Sequence, residues 1–173
     1  DKRDAASGLP LGLADKLYIS LEHAEEFEKD SRLFGRTDTK ETAAYHVRPL
    51  GRPMIEAYFG GELADSVESD GQRAYFDFAR AELVSLLGSD FAARMRPVAA
   101  SQWRSDPFAL GSYSYALPGH ADDRARLAAP VDGRLFFAGE ACSPTFFSTA
   151  HGAYVSGREA AEQAVASLKR LVV

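Results

Sequence analysis

"LFFAGEACSPTFFSTAHGAYVSGREAAEQAV", Leu135–Val165, is the stretch on which the fold turns. Starting one residue earlier, "RLFFAGE" is a nearly continuous apolar run, the pattern of a strand covered on both faces in a parallel sheet. A loop with adjacent Phe146 and Phe147 follows, and then a predicted helix over 149–171. Ala153, Gly157, Ala160, Ala161 and Ala164 line that helix with small side chains. Small residues let a helix approach a sheet closely, or let a flat ligand approach the helix start. Ser148 or Thr149 can cap the helix, whose first N–H groups and positive dipole end suit a negative group. In open α/β sheets that place lies at the carboxyl ends of the strands, where ligands bind. An alanine-rich helix packed on a sheet with no ligand would explain the composition equally well. The order Gly139-Glu140, then a helix start nine residues later at Thr149 with His151-Gly152-Ala153, is more specific.

Working outward, "DKLYISLE" (15–22) alternates Leu17, Ile19 and Leu21 with Lys16, Tyr18 and Ser20, a strand with one buried face. Residues 23–44 carry no clean period and read as loop with short strand pieces. "RPMIEAYFGG" (52–61) is a second strand stopped by two glycines. Residues 70–88 hold the clearest helix, with Phe76, Ala79, Leu83 and Leu86/Leu87 at helical spacing, Asp70 as cap and Gly88 as terminator. "RPVAASQW" is extended, "FALGSYSYALPG" is loop with a short strand, and "HADDRARLAAPVDG" is polar with turn signals.

The 173 residues suffice for one domain or parts of two. A net charge of -5 argues against a nucleic-acid surface. A single cysteine, Cys142, excludes an internal disulfide and a cysteine-built metal site. No apolar run approaches the ~20 residues that span a bilayer, so no membrane partner is expected. The compartment is not readable.

Four segments together resemble the flavin-containing amine oxidases, a family that includes monoamine oxidases, polyamine oxidases and lysine-specific histone demethylases. Residues 135–165 look like that family's carboxyl-terminal FAD-binding segment. "QWRSDPFALGSYSYALPG" (102–119) is similar to its substrate-side segment. "LPLGLADKLYISLE" (9–22) is similar to the stretch carrying its active-site lysine, and "YHVRPLGRPMIEAYFGGELA" (45–64) to its central strand pair. The resemblance implies an α/β (α+β mixed) fold. Residues 1–130 would be a mixed-sheet substrate-domain portion with a helix near 70–88. Residues 131–173 would be a strand–loop–helix of a Rossmann-like FAD-binding domain. It implies oxidation of a small-molecule amine by hydride transfer to FAD, imine hydrolysis, and reoxidation by molecular oxygen to give peroxide. No G-x-G-x-x-G follows a strand in this chain. The expectation is therefore a fragment, a processed chain or one subunit, inactive alone. The dinucleotide-binding loop would come from a missing amino-terminal half or a partner chain.

The resemblance also assigns residues. Glu140, after Gly139, matches a glutamate on the cofactor's ribityl–pyrophosphate stretch, where a carboxylate must accept from a hydroxyl or an N–H. Thr149 and Ala150 match positions whose backbone meets the flavin ring. Lys16 matches a lysine holding a water near the flavin, although alternation alone makes it a solvent-side lysine. Tyr113 matches an aromatic ring facing the flavin and able to hold an ammonium. Tyr115 shares its face and reads equally as core. Ser148 stands at the cage's second wall, so a two-tyrosine sandwich is not kept. Ser112 stands where monoamine oxidases tether flavin through cysteine, which implies non-covalent FAD. Trp103 resembles a tryptophan near the flavin, with core packing as an equal reading. Two other functions stand beside this one. An amino-acid oxidase would need a carboxylate-binding arginine, for which Arg48 and Arg52 are candidates. A non-catalytic binding module is the other.

Overall fold

The computed structural model describes residues 2–171. They combine helices with one five-stranded sheet and divide into two compact units. A central unit runs Leu13–Ser112, and a composite unit is built from residues 2–12 and 113–171.

The central unit contains all five strands: β1 (Ala14–Leu21), β2 (Ser31–Phe34), β3 (Ala44–Val47), β4 (Met54–Gly60) and β5 (Met95–Ala100). Their order is β2-β3-β4-β1-β5, and every pairing is antiparallel. Pro97 is tolerated because β5 is an edge strand. The period-two reading of β1 holds. Leu17, Ile19 and Leu21 are buried, and Lys16, Tyr18 and Ser20 lie on the other, more open face. Tyr45 and Val47 of β3 and Ile55, Ala57 and Phe59 of β4 complete the buried face.

Two helices cover that face. The glycine pair ends β4 as expected, and Gly61 (φ 59°) turns the chain at once into α2 (Gly61–Ser69), a helix the sequence reading did not contain. Asp70 closes α2, its N–H bonding the Ser66 carbonyl, instead of opening the next helix. That helix, α3 (Gln72–Leu87), begins after Gly71 and ends at Gly88 (φ 97°). Leu63, Ala64 and Val67 of α2 and Tyr75, Ala79 and Leu83 of α3 meet the sheet in one core. The Tyr75 ring stands edge-on to Phe59 at 5.1 Å.

The composite unit holds α1 (Lys2–Ser7), α4 (Asp123–Ala128) and α5 (Ala150–Leu171). A single bridge, Leu11 to Ser114, joins its two segments as an antiparallel pair. Lys2 crosses to α4, its ammonium donating to the carbonyls of Arg126, Leu127 and Ala129. A cation there suits the negative end of a helix. Residues 134–140, read from the sequence as a buried strand, form none. Leu135 makes one bridge to Val131 and is 59% exposed, and no other strand lies beside the run among the described residues. A central parallel strand needs a neighbour on each edge to satisfy its backbone.

Candidate functional site

In the composite unit the loop 139–148 and the start of α5 are built around Glu140. Its Oε1 accepts from the Ser114 N–H at 2.9 Å. Its Oε2 accepts from the Ser114 hydroxyl at 2.9 Å and the Ser148 N–H at 2.7 Å. All three of these donors are the chain's own groups. Its counter-charge is Arg124, whose guanidinium is buried and lies 4.0 Å away. Arg124 also donates to the Ser114 hydroxyl at 2.7 Å and stacks on the Phe147 ring at 4.3 Å. Sequence reasoning missed Arg124. It sits in a polar, turn-like stretch directly after Asp122 and Asp123, and only tertiary packing buries it.

Ser148 adopts a left-handed backbone (φ 59°), and its hydroxyl donates to the Ser114 carbonyl at 2.9 Å. Thr149 is the helix cap: its Oγ1 accepts from the Gly152 N–H at 3.1 Å. The N–H groups of Ala150 and His151 then fall in the first turn, where no intrahelical acceptor exists. The small residues of α5 have a concrete use. A Cβ on Gly152 would lie 2.0 Å from the Phe146 carbonyl oxygen, so only glycine lets the helix pass the loop. One turn on, the Ser156 hydroxyl donates to the Gly139 carbonyl at 2.9 Å and accepts from the Gly139 N–H at 3.0 Å. The close neighbour of this helix is therefore its own preceding loop.

Residues 113–115 are extended beside Leu11. Ser114 is buried against Glu140, while Tyr113 and Tyr115 are 37% and 48% exposed. Tyr115 lies against Gly12, where an added Cβ would meet its ring at 3.5 Å. Phe146 and Phe147 are each about half exposed. The composite unit thus brings together Tyr113, Gly139, Glu140, Ser148, Thr149 and Ala150. Uncommitted helix-start N–H groups and half-exposed aromatic rings fit the ring end of a flavin. The donors around Glu140 serve the fold.

Lys16 and Trp103 belong to the central unit. The Lys16 ammonium pairs with Glu56 at 3.0 Å on the open face of the sheet. Its N–H donates to the Ser101 hydroxyl at 2.8 Å, and that hydroxyl donates to Asp15 at 2.7 Å. The Trp103 N–H donates to the same Asp15 oxygen at 3.3 Å. Asp15 carries a sequence signal that was passed over: it falls on the parity of Leu13, Leu17, Ile19 and Leu21, so an acid stands on the buried face. The Ser112 hydroxyl donates to the Ala14 carbonyl and accepts from the Ala14 N–H, both at 2.8 Å. Arg48 donates to the Phe27 carbonyl at 2.7 Å.

The sequence is similar to that of known proteins over most of its length. A family model described as flavin containing amine oxidoreductase matches residues 1–165. Polyamine oxidase 2 of Arabidopsis thaliana is 34% identical over 167 residues, covering 93% of this chain and 33% of that protein. Polyamine oxidase 4 of Oryza sativa subsp. japonica is 33% identical over 167 residues, covering 94% and 33%. A possible lysine-specific histone demethylase 1 of Drosophila melanogaster is 38% identical over 120 residues, covering 62% and 14%. The chain spans about a third of the length of the polyamine oxidases it matches. With four resembling segments and a family match over residues 1–165, this chain belongs to the flavin-containing amine oxidoreductase family.

Proposed function

We propose that this chain is the carboxyl-terminal part of an FAD-dependent amine oxidase. Residues 131–173 serve the flavin side and residues 1–130 mainly the substrate side. The observation that carries the reading is the start of α5. Thr149 caps Gly152, Ser148 is held by Glu140, and the Ala150 and His151 N–H groups are left to face a ligand. When bound, the flavin accepts the electrons of amine oxidation and passes them to oxygen, giving an imine that water hydrolyses and peroxide. The chain's own residues bind and orient. The α5 start favours negative charge at the ring's pyrimidine edge and is fixed in place before any reaction. Tyr113 presents a partly exposed ring to the substrate ammonium. Lys16, oriented by Glu56, holds a water for proton transfer. Ser112 supplies no sulfur, and its hydroxyl is engaged by Ala14 on both its donor and acceptor sides, which supports non-covalent FAD. The polyamine oxidases among the relatives support a polyamine as the amine class.

The test uses the complete protein, reduced anaerobically with saturating amine. Tyr113→Phe keeps the ring and is expected to stay within a few-fold of the parent. Tyr113→Ala is expected to slow reduction by about tenfold to a hundredfold, because a misplaced amine reacts poorly. Lys16→Met is expected to slow at least one of reduction and reoxidation while thermal stability is kept. If Ala and Phe behave alike at Tyr113, and Lys16→Met leaves both half-reactions unchanged, the assignment of these two residues is wrong.

A further inference from the structure

Lys16 lies where the sheet is least regular. Toward β4, β1 pairs without interruption from Ala14 to Ser20. Toward β5 the register slips: Leu17 and Tyr18 pair with Ala100 and Ala99, but Ile19 pairs with Pro97, so Val98 is bulged out. Pro97 has no N–H to give, and β5 is the edge of the sheet. The last strand pair on this side is Leu17 with Ala100, one residue short of Lys16.

Ser101 continues the pairing with its side chain. Its N–H donates to the Lys16 carbonyl at 2.9 Å. Its hydroxyl accepts from the Lys16 N–H at 2.8 Å, where a regular antiparallel partner would offer its carbonyl. A hydroxyl carries one proton and two lone pairs, so it accepts in a fixed direction only when its proton is committed elsewhere. Asp15 takes that proton: the hydroxyl donates to its Oδ1 at 2.7 Å, and Asp15 is 0% exposed. The Trp103 N–H at 3.3 Å and the Tyr75 hydroxyl at 3.0 Å hold the Asp15 carboxylate in turn. The chain beyond Ser101 is pinned as well. Glu68 of α2, 7% exposed, accepts from the Arg104 N–H at 3.2 Å, the Ser105 N–H at 2.7 Å and the Ser105 hydroxyl at 2.6 Å. Ser101 is thus fixed by Asp15 directly and by the anchored turn that follows it.

We propose that Ser101, its hydroxyl oriented by Asp15, is a positioning residue for Lys16. It fixes the root of that side chain, while Glu56, 3.0 Å from the ammonium, fixes the tip. A lysine stem is long and flexible, so both ends must be held if the ammonium is to keep one place. Loosening the root displaces the ammonium and whatever it carries, and chemistry at short range tolerates little displacement. The service to catalysis rests on the reading of Lys16 given under the proposed function; the grip itself does not.

Residue-resolved hydrogen exchange on the complete protein, with and without FAD, reads the grip directly. Ser101 is only partly buried, so alanine is accommodated there. Ser101→Ala is expected to speed exchange of the Lys16 amide by about fivefold to tenfold, the worth of one hydrogen bond. Ser101→Thr restores a hydroxyl and is expected to return that protection. An unchanged Lys16 amide in Ser101→Ala would overturn the proposal. In the complete holoenzyme, Ser101→Ala is expected to slow whichever half-reaction Lys16→Met slows, by about threefold or more, and Ser101→Thr to recover it. Added to Lys16→Met, Ser101→Ala is expected to slow nothing further, because a residue that acts through Lys16 has nothing left to act on. Equal slowing in both backgrounds would show a merely structural serine and overturn the proposal. If Lys16→Met is slow but Ser101→Ala keeps full activity, the reading of Lys16 stands and the positioning role is wrong. If both keep full activity, the positioning role falls together with the reading of Lys16.

Discussion

Single residues set the shape of the candidate flavin site, and Ser148 shows how. It holds a left-handed backbone that costs a non-glycine residue about 1 kcal/mol. Its N–H bond to Glu140 and its hydroxyl bond to Ser114 oppose that cost. Ser148→Ala loses the hydroxyl bond and keeps the strain, while Ser148→Gly loses the bond and relieves the strain. Chemical denaturation is therefore expected to rank parent and Gly close together, with Ala about 1 kcal/mol below Gly. Equal stability of Ala and Gly would mean that the left-handed turn is not strained. At this scale the sequence was informative where local chemistry suffices. Residue type and position narrowed the cap to Ser148 or Thr149, whereas Glu140 as an acceptor of N–H and hydroxyl donors came with the family resemblance. The sequence was uninformative about Arg124 and Glu68, because burial of a charge is decided by elements distant in the chain. Asp15 lies between these cases: its parity was visible, but its partners were not.

Among elements, the junction of the β2–β3 connection with α3 is the clearest polar clamp. The Glu82 carboxylate of α3 accepts from the Arg36 N–H at 3.1 Å, the Thr42 hydroxyl at 2.8 Å, the Ala43 N–H at 3.2 Å and the Tyr45 hydroxyl at 2.6 Å. A Cβ on Gly35 would sit 2.0 Å from a Glu82 oxygen, so a larger residue there would push the carboxylate off its donors. Burial first, then the bond to Glu82, pushes the Tyr45 hydroxyl up, so it stays a donor at ordinary pH. Glu82→Gln places an NH2 where two of four donors point and is expected to cost about 2–3 kcal/mol. Hydrogen exchange should then quicken at Arg36 and Ala43 before it quickens in β1; uniform acceleration would count against a local clamp. The polar sequence 35–43 gave no period, because its order comes from one acid on a helix 40 residues away. The same physics explains residues 134–140. Apolar composition predicts a strand, but strand structure is a property of neighbours, and the described residues provide none.

For the whole molecule, the two units are stabilised by different means. The large apolar cluster, from Leu13 to Met95, lies wholly within the central unit. The composite unit buries few apolar side chains among the described residues, such as Ala5, Leu9 and Cys142, and relies on the Arg124–Glu140–Ser114 network and on Lys2 capping α4. Apolar burial withstands salt and charge change better than ion pairs do. Limited proteolysis at rising salt is expected to cut within 113–171 before it cuts within 13–112. Simultaneous cleavage, or the reverse order, would show that the network holds as firmly as the core. The mixed α/β class was legible from alternation and helical spacing, which are local; the interrupted composition of the second unit was not. That interruption has a consequence for biosynthesis. As the polypeptide leaves the ribosome, the stretch ending at Ser112 has every strand it needs and can condense at once. Residues 2–12 emerge before that stretch yet must wait, unpaired, until Ser114 and α4 are made about a hundred residues later, so they settle only after the unit that follows them has condensed.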